Sequence, residues 1–331
     1  MESQNIKRFN GLDILKAICA FLVVFIHVPI QGFMKEYLVA LCRIAVPIFF
    51  MITGYFWSND LNKQKKQIVK IVKLIVFTIL IYLVKEIIVN ICQGTFISFI
   101  NQWFDIKRYF NLIVFNRTYL AYHMWYLVAL LYVLIILYFV TKKIKIERLF
   151  ILIPILLSSY IVIQMIASVF NIDGWDYIYV RNFLFTGIPF VLLGKYLSLK
   201  KINLSNKKHL ILIVVFVLLN IIEMIISNII NYKFIPELFL TGIFLAILVF
   251  TYFLNINAKN DNFLVVIGKK YSMYIYIFHV LIVFFVTKFI DIFNSQMIQN
   301  IGYNLLPFIV YFFSLIISIL MSKIIKLRKQ N

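Results

Sequence analysis

Lys16 and His27 stand eleven residues apart in GLDILKAICAFLVVFIHVPI (residues 11–30), a stretch otherwise apolar apart from Asp13. At 100° per residue, eleven steps make three turns and about 20°. On a helix the ammonium and the imidazole therefore share one stripe, about 16 Å apart along the axis, with Ala20 and Val23 between them. An imidazole that titrates near neutral pH is the usual general base. It can take the proton from a hydroxyl as that hydroxyl attacks an acyl group. The oxyanion that then develops needs donors close by. Arg43, charged at any ordinary pH, and His123 are the candidates to supply them, so His27, Arg43 and His123 form the candidate catalytic set. Each also has a plainer reading. Lys16 can snorkel or pair with Asp13 at i,i+3, and His27 can be a hydrogen-bonded interior histidine.

Other ionisable groups fall inside apolar runs. Arg181 opens RNFLFTGIPFVLLGKYL, Glu223 sits late in its run, and Glu86 lies beside Lys85. His279 is central to YSMYIYIFHVLI, with Ser272 about two turns before it. Arg181, His279 and Tyr126, from HMWYLVALLY, are the candidate substrate contacts. His209 follows a basic stretch and reads as solvated. An ionisable group within a bilayer costs at least ~2.5 kcal/mol on insertion scales, so it faces a bundle interior or a wet cavity and is a functional candidate by default. No Gly-rich phosphate loop, HExxH or GxSxG motif occurs, which argues against nucleotide, zinc-protease and serine-hydrolase chemistry of the soluble kinds. Cys19, Cys42 and Cys92 lack CxxC spacing, so neither a disulfide nor a metal site is expected.

The elements that must position these groups are membrane helices. The chain has 331 residues, 63% of them hydrophobic, and a mean hydropathy of +0.95. Soluble domains are roughly 45–50% apolar. Ten segments approach the ~20 apolar residues needed to span hydrocarbon: 11–30, 36–57, 74–92, 120–141, 148–169, 180–198, 209–230, 234–254, 264–290 and 302–322. The expected fold is all-α, a single domain over 1–331 with about ten transmembrane helices. Within the second segment, Pro47 frees a backbone carbonyl and can bend the helix, while Thr53 and Gly54 permit close helix approach.

The formal charge of +20 reflects topology rather than nucleic-acid binding. Most basic residues collect in alternate connections: the N-terminus, NKQKKQIVKIVK, TKKIKIER, LKKINLSNKKH, the 259–270 region and KIIKLRKQN. The opposite connections, NIDGWDYIY and DIFNSQMIQN, are acidic or neutral. The positive-inside rule then places both termini in the cytoplasm of a plasma-membrane protein. His27, Arg43, His123, Arg181 and Glu223 fall at the outer level. The connection over 93–119 carries Lys107, Arg108, Arg117 and several aromatics; it reads either as a segment lying on the membrane or covering a cavity, or as a plain loop.

In order and spacing, GLDILKAICAFLVVFIH, RIAVPIFFMITGYF, HMWYLVALLY, RNFLFTGIPFVLLGKYL and GKKYSMYIYIFHV resemble the acyltransferase-3 family of ten-helix membrane acyltransferases over nearly the whole chain. The family's first helix carries an arginine and a histidine, to which Lys16 and His27 correspond; lysine keeps the charge but not the bidentate fork. One branch of the family has a glutamate where this chain has Leu130. The blocks look closer to Gram-positive members, including capsule or wall modifiers and the membrane domains of serine-racemase-like proteins. The resemblance implies acetyl-CoA as cytoplasmic donor, met by Lys16 and by Lys63, Lys65, Lys66 and Lys70. It implies a hydroxyl of an extracytoplasmic or lipid-linked glycan as acceptor, the bilayer as surroundings, and polysaccharide-assembly proteins as possible partners. A transporter or flippase for a polysaccharide or small polar substrate, and an inert scaffold, are the competing readings. The topology has a direct check. Reporter fusions at residues 175 and 331 are expected to localise to opposite sides; the same side for both would overturn the span count.

Overall fold

The computed structural model describes residues 9–170, 172, 175–200, 205–230 and 236–330, and these are helical with no strand among them. In chain order the helices are α1 (Asn10–His27), α2 (Lys35–Cys42), α3 (Ala45–Tyr55), α4 (Leu61–Cys92), α5 (Phe96–Asn101), α6 (Ile106–Phe115) and α7 (Trp125–Val140). They continue as α8 (Leu152–Val169), α9 (Ile188–Leu199), α10 (Asn206–Ile229), α11 (Leu240–Leu254), α12 (Phe263–Lys270), α13 (Ser272–Asp291) and α14 (Gln296–Gln330). Among the described residues, eight helical stretches are long and apolar enough to cross a membrane: Asn10–His27, Lys35–Tyr55, Leu61–Cys92, Tyr122–Val140, Ile146–Val169, Asn206–Ile229, Ser272–Asp291 and Gln296–Ile324. The sixth and eighth expected segments are met by shorter apolar helices, Phe183–Leu199 and Leu240–Leu254. Residues 231–235 of the eighth lie outside the described residues.

Three boundaries differ from the sequence expectation. The basic run before residue 74 is helical and belongs to α4, a 32-residue rod about 48 Å long. The Asp60 carboxylate accepts from the Asn62 and Lys63 amides and starts the helix there, and lysine and glutamine propagate helix well. The second segment breaks at Arg43–Ile44, where α2 ends and α3 begins. Pro47 explains the break, because it has no N–H to give to the carbonyl four residues back, that of Arg43. The ninth segment is two helices, α12 and α13, with Tyr271 between them at φ −120°, ψ −23°.

The chain divides into two compact units. In one (Met1–Phe49, Ile202–Asn228 and Leu238–Asn331), α1 lies along α12 and touches α2, α11, α13 and α14. Leu12, Leu15, Cys19 and Val24 of α1 are buried there, while α13 and α14 form a helical hairpin. The other unit (Phe50–Lys201 and Ile229–Glu237) packs α4 on α7, and α8 and α9 around a π-helical turn at Phe183–Gly187. The end of α3 crosses α9 at close range, as Gly54 suggests. A Cβ on Gly54 would meet the Val191 carbonyl, and one on Gly194 the Met51 carbonyl.

A close approach joins α1 to α12, where a Cβ on Gly268 would run into the Asp13 carbonyl oxygen. Backbone cannot yield as a flexible side chain can. Gly268→Ala is therefore expected to cost at least about 1–3 kcal/mol, read as a lower thermal unfolding temperature of the detergent-solubilised protein. Gly302→Ala, whose nearest contacts are Ile290 side-chain atoms at 3.1–3.2 Å, is expected to unfold close to wild type. Equal unfolding temperatures would show that the α1–α12 crossing is not this close.

Candidate functional site

His27 is the last residue of α1. The helix stops there because Pro29 disfavours helical backbone at the residue before it, and Val28 turns away at φ −139°. The His27 ring lies 5.0 Å, centroid to centroid, from the ring of His279 on α13, with 33° between the planes. His279 is fully buried. Its Nδ1 is 2.7 Å from the Tyr276 carbonyl and 3.3 Å from that of Ile275. Carbonyls only accept, so Nδ1 carries the proton, and a neutral ring keeps its lone pair on Nε2. Two imidazoles that are 252 positions apart in the chain thus meet at one point.

Lys16 lies three turns back along α1, its Nζ 2.9 Å from Asp13 Oδ1. The i,i+3 pair is present, and Asp13 is buried. Ala20 and Val23, between Lys16 and His27, are buried as well. Arg43 is half-buried at the α2–α3 break, in the same unit. Glu223 on α10 has a structural task there. Its carboxylate accepts from the Leu240 and Thr241 amides at 3.1 Å each, and from the Thr241 hydroxyl at 2.5 Å, so it caps the start of α11. His209 is not solvated. It is fully buried on α10, with Nε2 3.2 Å from Thr251 Oγ1. The Thr251 hydroxyl already donates to the Ile247 and Leu248 carbonyls, so His209 is the donor in that contact. The basic residues around it in the sequence concealed an apolar environment supplied by α11.

His123, Tyr126 and Arg181 belong to the other unit. His123 is buried in the short turn Tyr122–Met124, its ring 5.2 Å from that of Tyr82 on α4. Arg181 stacks its guanidinium 5.6 Å from the Trp125 ring and sets Nη1 3.8 Å from Glu237 Oε1. The Asn182 side chain accepts from the Leu184 and Phe185 amides, which starts the π-helical turn directly after Arg181. Tyr126 is buried edge-on against Phe50, with centroids 4.7 Å apart. Lys85 pairs with Glu86 at 2.6 Å.

The segment over 93–119 is not a plain loop. It folds as α5, a short turn and α6, and with α4 and α7 it lines a half-open cavity of about 500 Å³. Trp103, Arg108, Tyr109 and Tyr119 line that cavity. Their identities were visible in the sequence as an excess of aromatics and arginines, but which faces they share was not.

Apolar helices that carry ion-paired and stacked side chains among them define a multi-pass membrane protein. The acyltransferase-domain profile of the acyltransferase-3 family matches residues 9–323, and the chain belongs to that family, a class of membrane acyltransferases. Two proteins of Enterococcus faecalis described as amino-acid racemases are similar over part of it. One is 32% identical over 136 residues, 37% of this chain and 18% of the racemase; the other is 27% identical over 205 residues, 57% and 28% respectively. The chain matches less than a third of the length of these relatives. No solved structure matches.

The geometry separates Glu223 from the chemistry. Glu223→Gln keeps one acceptor and loses the charge–amide contacts. It is expected to lower stability by about 1–2 kcal/mol, as loss of a helix cap does, with activity per folded molecule unchanged. A turnover loss at unchanged unfolding temperature would give Glu223 a part in the chemistry beyond the cap.

Proposed function

We propose that the protein moves an acyl group, acetyl in the first instance, from cytoplasmic acyl-CoA to a hydroxyl of an extracytoplasmic or lipid-linked glycan, with His27 as the general base. The observation that carries this reading is the position of His27: at the end of α1, in ring contact with His279, and on the helix that also bears Lys16. Neutral His27 takes the proton of the acceptor hydroxyl while its oxygen bonds to the thioester carbonyl carbon. The tetrahedral oxyanion collapses, the C–S bond breaks, and the departing thiolate recovers the proton from the imidazolium. The products are an ester and a free thiol, and His27 is neutral again. The imidazolium formed midway stands at the negative end of the α1 dipole, which favours a cation there. His279, buried with its Nδ1 committed to the Tyr276 carbonyl, holds the His27 ring from one side.

Lys16 suits the donor. CoA carries its phosphates and its thioester at opposite ends of a long flexible arm. A cation about 16 Å from the base is within the reach of such an arm. Arg43, in the same unit as His27, is proposed as the oxyanion donor. The plasma membrane, and partnership with polysaccharide-assembly proteins, follow from an acceptor of that class.

General base catalysis contributes roughly 10²–10⁴ in rate. His27→Ala is therefore expected to lower transfer of radiolabelled acetyl from acetyl-CoA to membrane glycans by that factor, with insertion and folding intact. His27→Gln keeps hydrogen bonding but not basicity and is expected to be as inactive. Near wild-type transfer in the glutamine variant would overturn the base assignment and favour the transporter reading. Lys16→Met is expected to raise the apparent KM for acetyl-CoA, and Lys16→Arg to preserve it. An unchanged KM in the methionine variant would leave Lys16 as the partner of Asp13 alone.

A further inference from the structure

The cavity between α4, α7 and the α5–α6 segment has two chemically different ends. Ile75 and Ile79 of α4 face Val128 and Leu131 of α7 at one end; Glu86, Asn90, Gln102 and Arg108 mark the other. From Ile75 to Asn90 is fifteen residues of a single helix, about 22 Å. The cavity is therefore a slot running along α4, not a surface dimple. Its volume, about 500 Å³, falls within the ~300–1,000 Å³ usual for small-molecule sites.

The polar end is built. The Tyr109 hydroxyl donates to the Trp103 carbonyl at 2.6 Å, and Asn111 Nδ2 donates to the Tyr119 hydroxyl at 2.9 Å, so the rings are fixed in place. Arg108 donates to Gln102 Oε1 at 2.5 Å and lies 4.7 Å from the Tyr119 centroid. The other charges there are neutralised, Glu86 by Lys85 and Arg117 by Asp176, each at 2.6 Å. No carboxylate pairs with Arg108 among the described residues. Asn90 is committed to Glu86 and Thr95, so the slot ends in one guanidinium with no carboxylate partner, the amide nitrogen of Gln102, and flat aromatic faces suited to a sugar ring.

We propose that this slot seats the acyl acceptor, and that the acceptor is an amphiphile held in the bilayer by its own chain, with an anionic, hydroxyl-bearing head of the lipid-linked glycan class. This rests on the acyl-transfer reading above and deepens it. A soluble glycan would use the polar end and leave the apolar shaft without purpose. A hydrocarbon chain alone would use the shaft and leave Arg108 without purpose. An amphiphile accounts for both ends. The volume accommodates a head and the first part of a chain, and Ile79, itself open to the surroundings, marks where the chain leaves.

Brominated lipids quench tryptophan fluorescence on contact, and Trp103 lines the slot. The test uses the whole protein in phosphatidylcholine nanodiscs, with brominated phosphatidylglycerol as a probe that has an anionic phosphate and free hydroxyls. The Trp103 signal is taken as wild type minus Trp103→Phe. Brominated phosphatidylglycerol is expected to quench it several-fold more than brominated phosphatidylcholine at equal mole fraction. Arg108→Gln is expected to abolish that preference, and Ile79→Phe to reduce quenching by both lipids. Equal quenching by the two lipids, or a preference that survives Arg108→Gln, would overturn the proposal. His27→Ala is expected to leave quenching unchanged, which separates seat from chemistry. Wild-type acyl transfer to a lipid-linked acceptor in both slot variants would overturn the slot and leave acyl transfer standing. A preserved lipid preference in a protein that transfers no acyl group would overturn acyl transfer and with it the acceptor role.

Discussion

A charge surrounded by hydrocarbon must be met by a partner or be expelled, and much of this structure follows from how each one is met. Asp13 and Lys16 meet on one helix face. Lys85 and Glu86 meet side by side. The buried Lys195 ammonium donates to the Trp57 carbonyl at 2.8 Å. Glu223 spends its carboxylate on the start of a helix, and Arg181 divides its guanidinium between an indole face and a distant carboxylate. Each solution uses a different partner: the Asp13–Lys16 and Lys85–Glu86 pairs close within one helix, whereas Lys195, Glu223 and Arg181 tie separate parts of the chain together.

The same constraint acts on the backbone. Within lipid every N–H and C=O needs an internal partner, which leaves helices as the available element. Where a helix stops inside an apolar run, something must take over the released groups. Proline 47 opens the α2–α3 break beside Arg43, Asn182 caps the π-helical turn beside Arg181, and the Ser272 hydroxyl donates to the Gly268 carbonyl at the α12–α13 junction. Interruptions therefore coincide with the polar candidates. A break supplies room and unpaired backbone in an interior that otherwise has neither.

This explains what was legible from residues alone. Helical class and apolar segments were, because hydropathy and the bilayer's thickness decide them. So was the Asp13–Lys16 pair, which needs only the spacing of three, and the close approach at Gly54. The extension of α4 was hidden because lysines signal a connecting segment by charge while favouring helix by conformation. The burial of His209 depended on Thr251, 42 positions away, and the meeting of His27 with His279 on a helix near the other end of the chain. Local periodicity carries no information about such pairings. The cavity was half visible: Trp103, Arg108, Tyr109 and Tyr119 announced an unusual connection, but its two helices had to fold before its faces could be assigned.

α4 is pinned at its N-terminal end. Lys63, Lys66, Lys70 and Lys73 recur at helical spacing on its exposed side, opposite the buried Gln64, Ile71, Ile75 and Thr78. Drawing one such ammonium to the middle of the hydrocarbon costs roughly 2.5–3.5 kcal/mol. The helix therefore cannot slide along the membrane normal, and a bilayer that thickens or thins is met by tilting. Since the same helix is one wall of the cavity, tilt changes the width of the slot. Acyl-chain length and sterol content, which act on thickness without touching any side chain, become a mechanical input to what the cavity can hold.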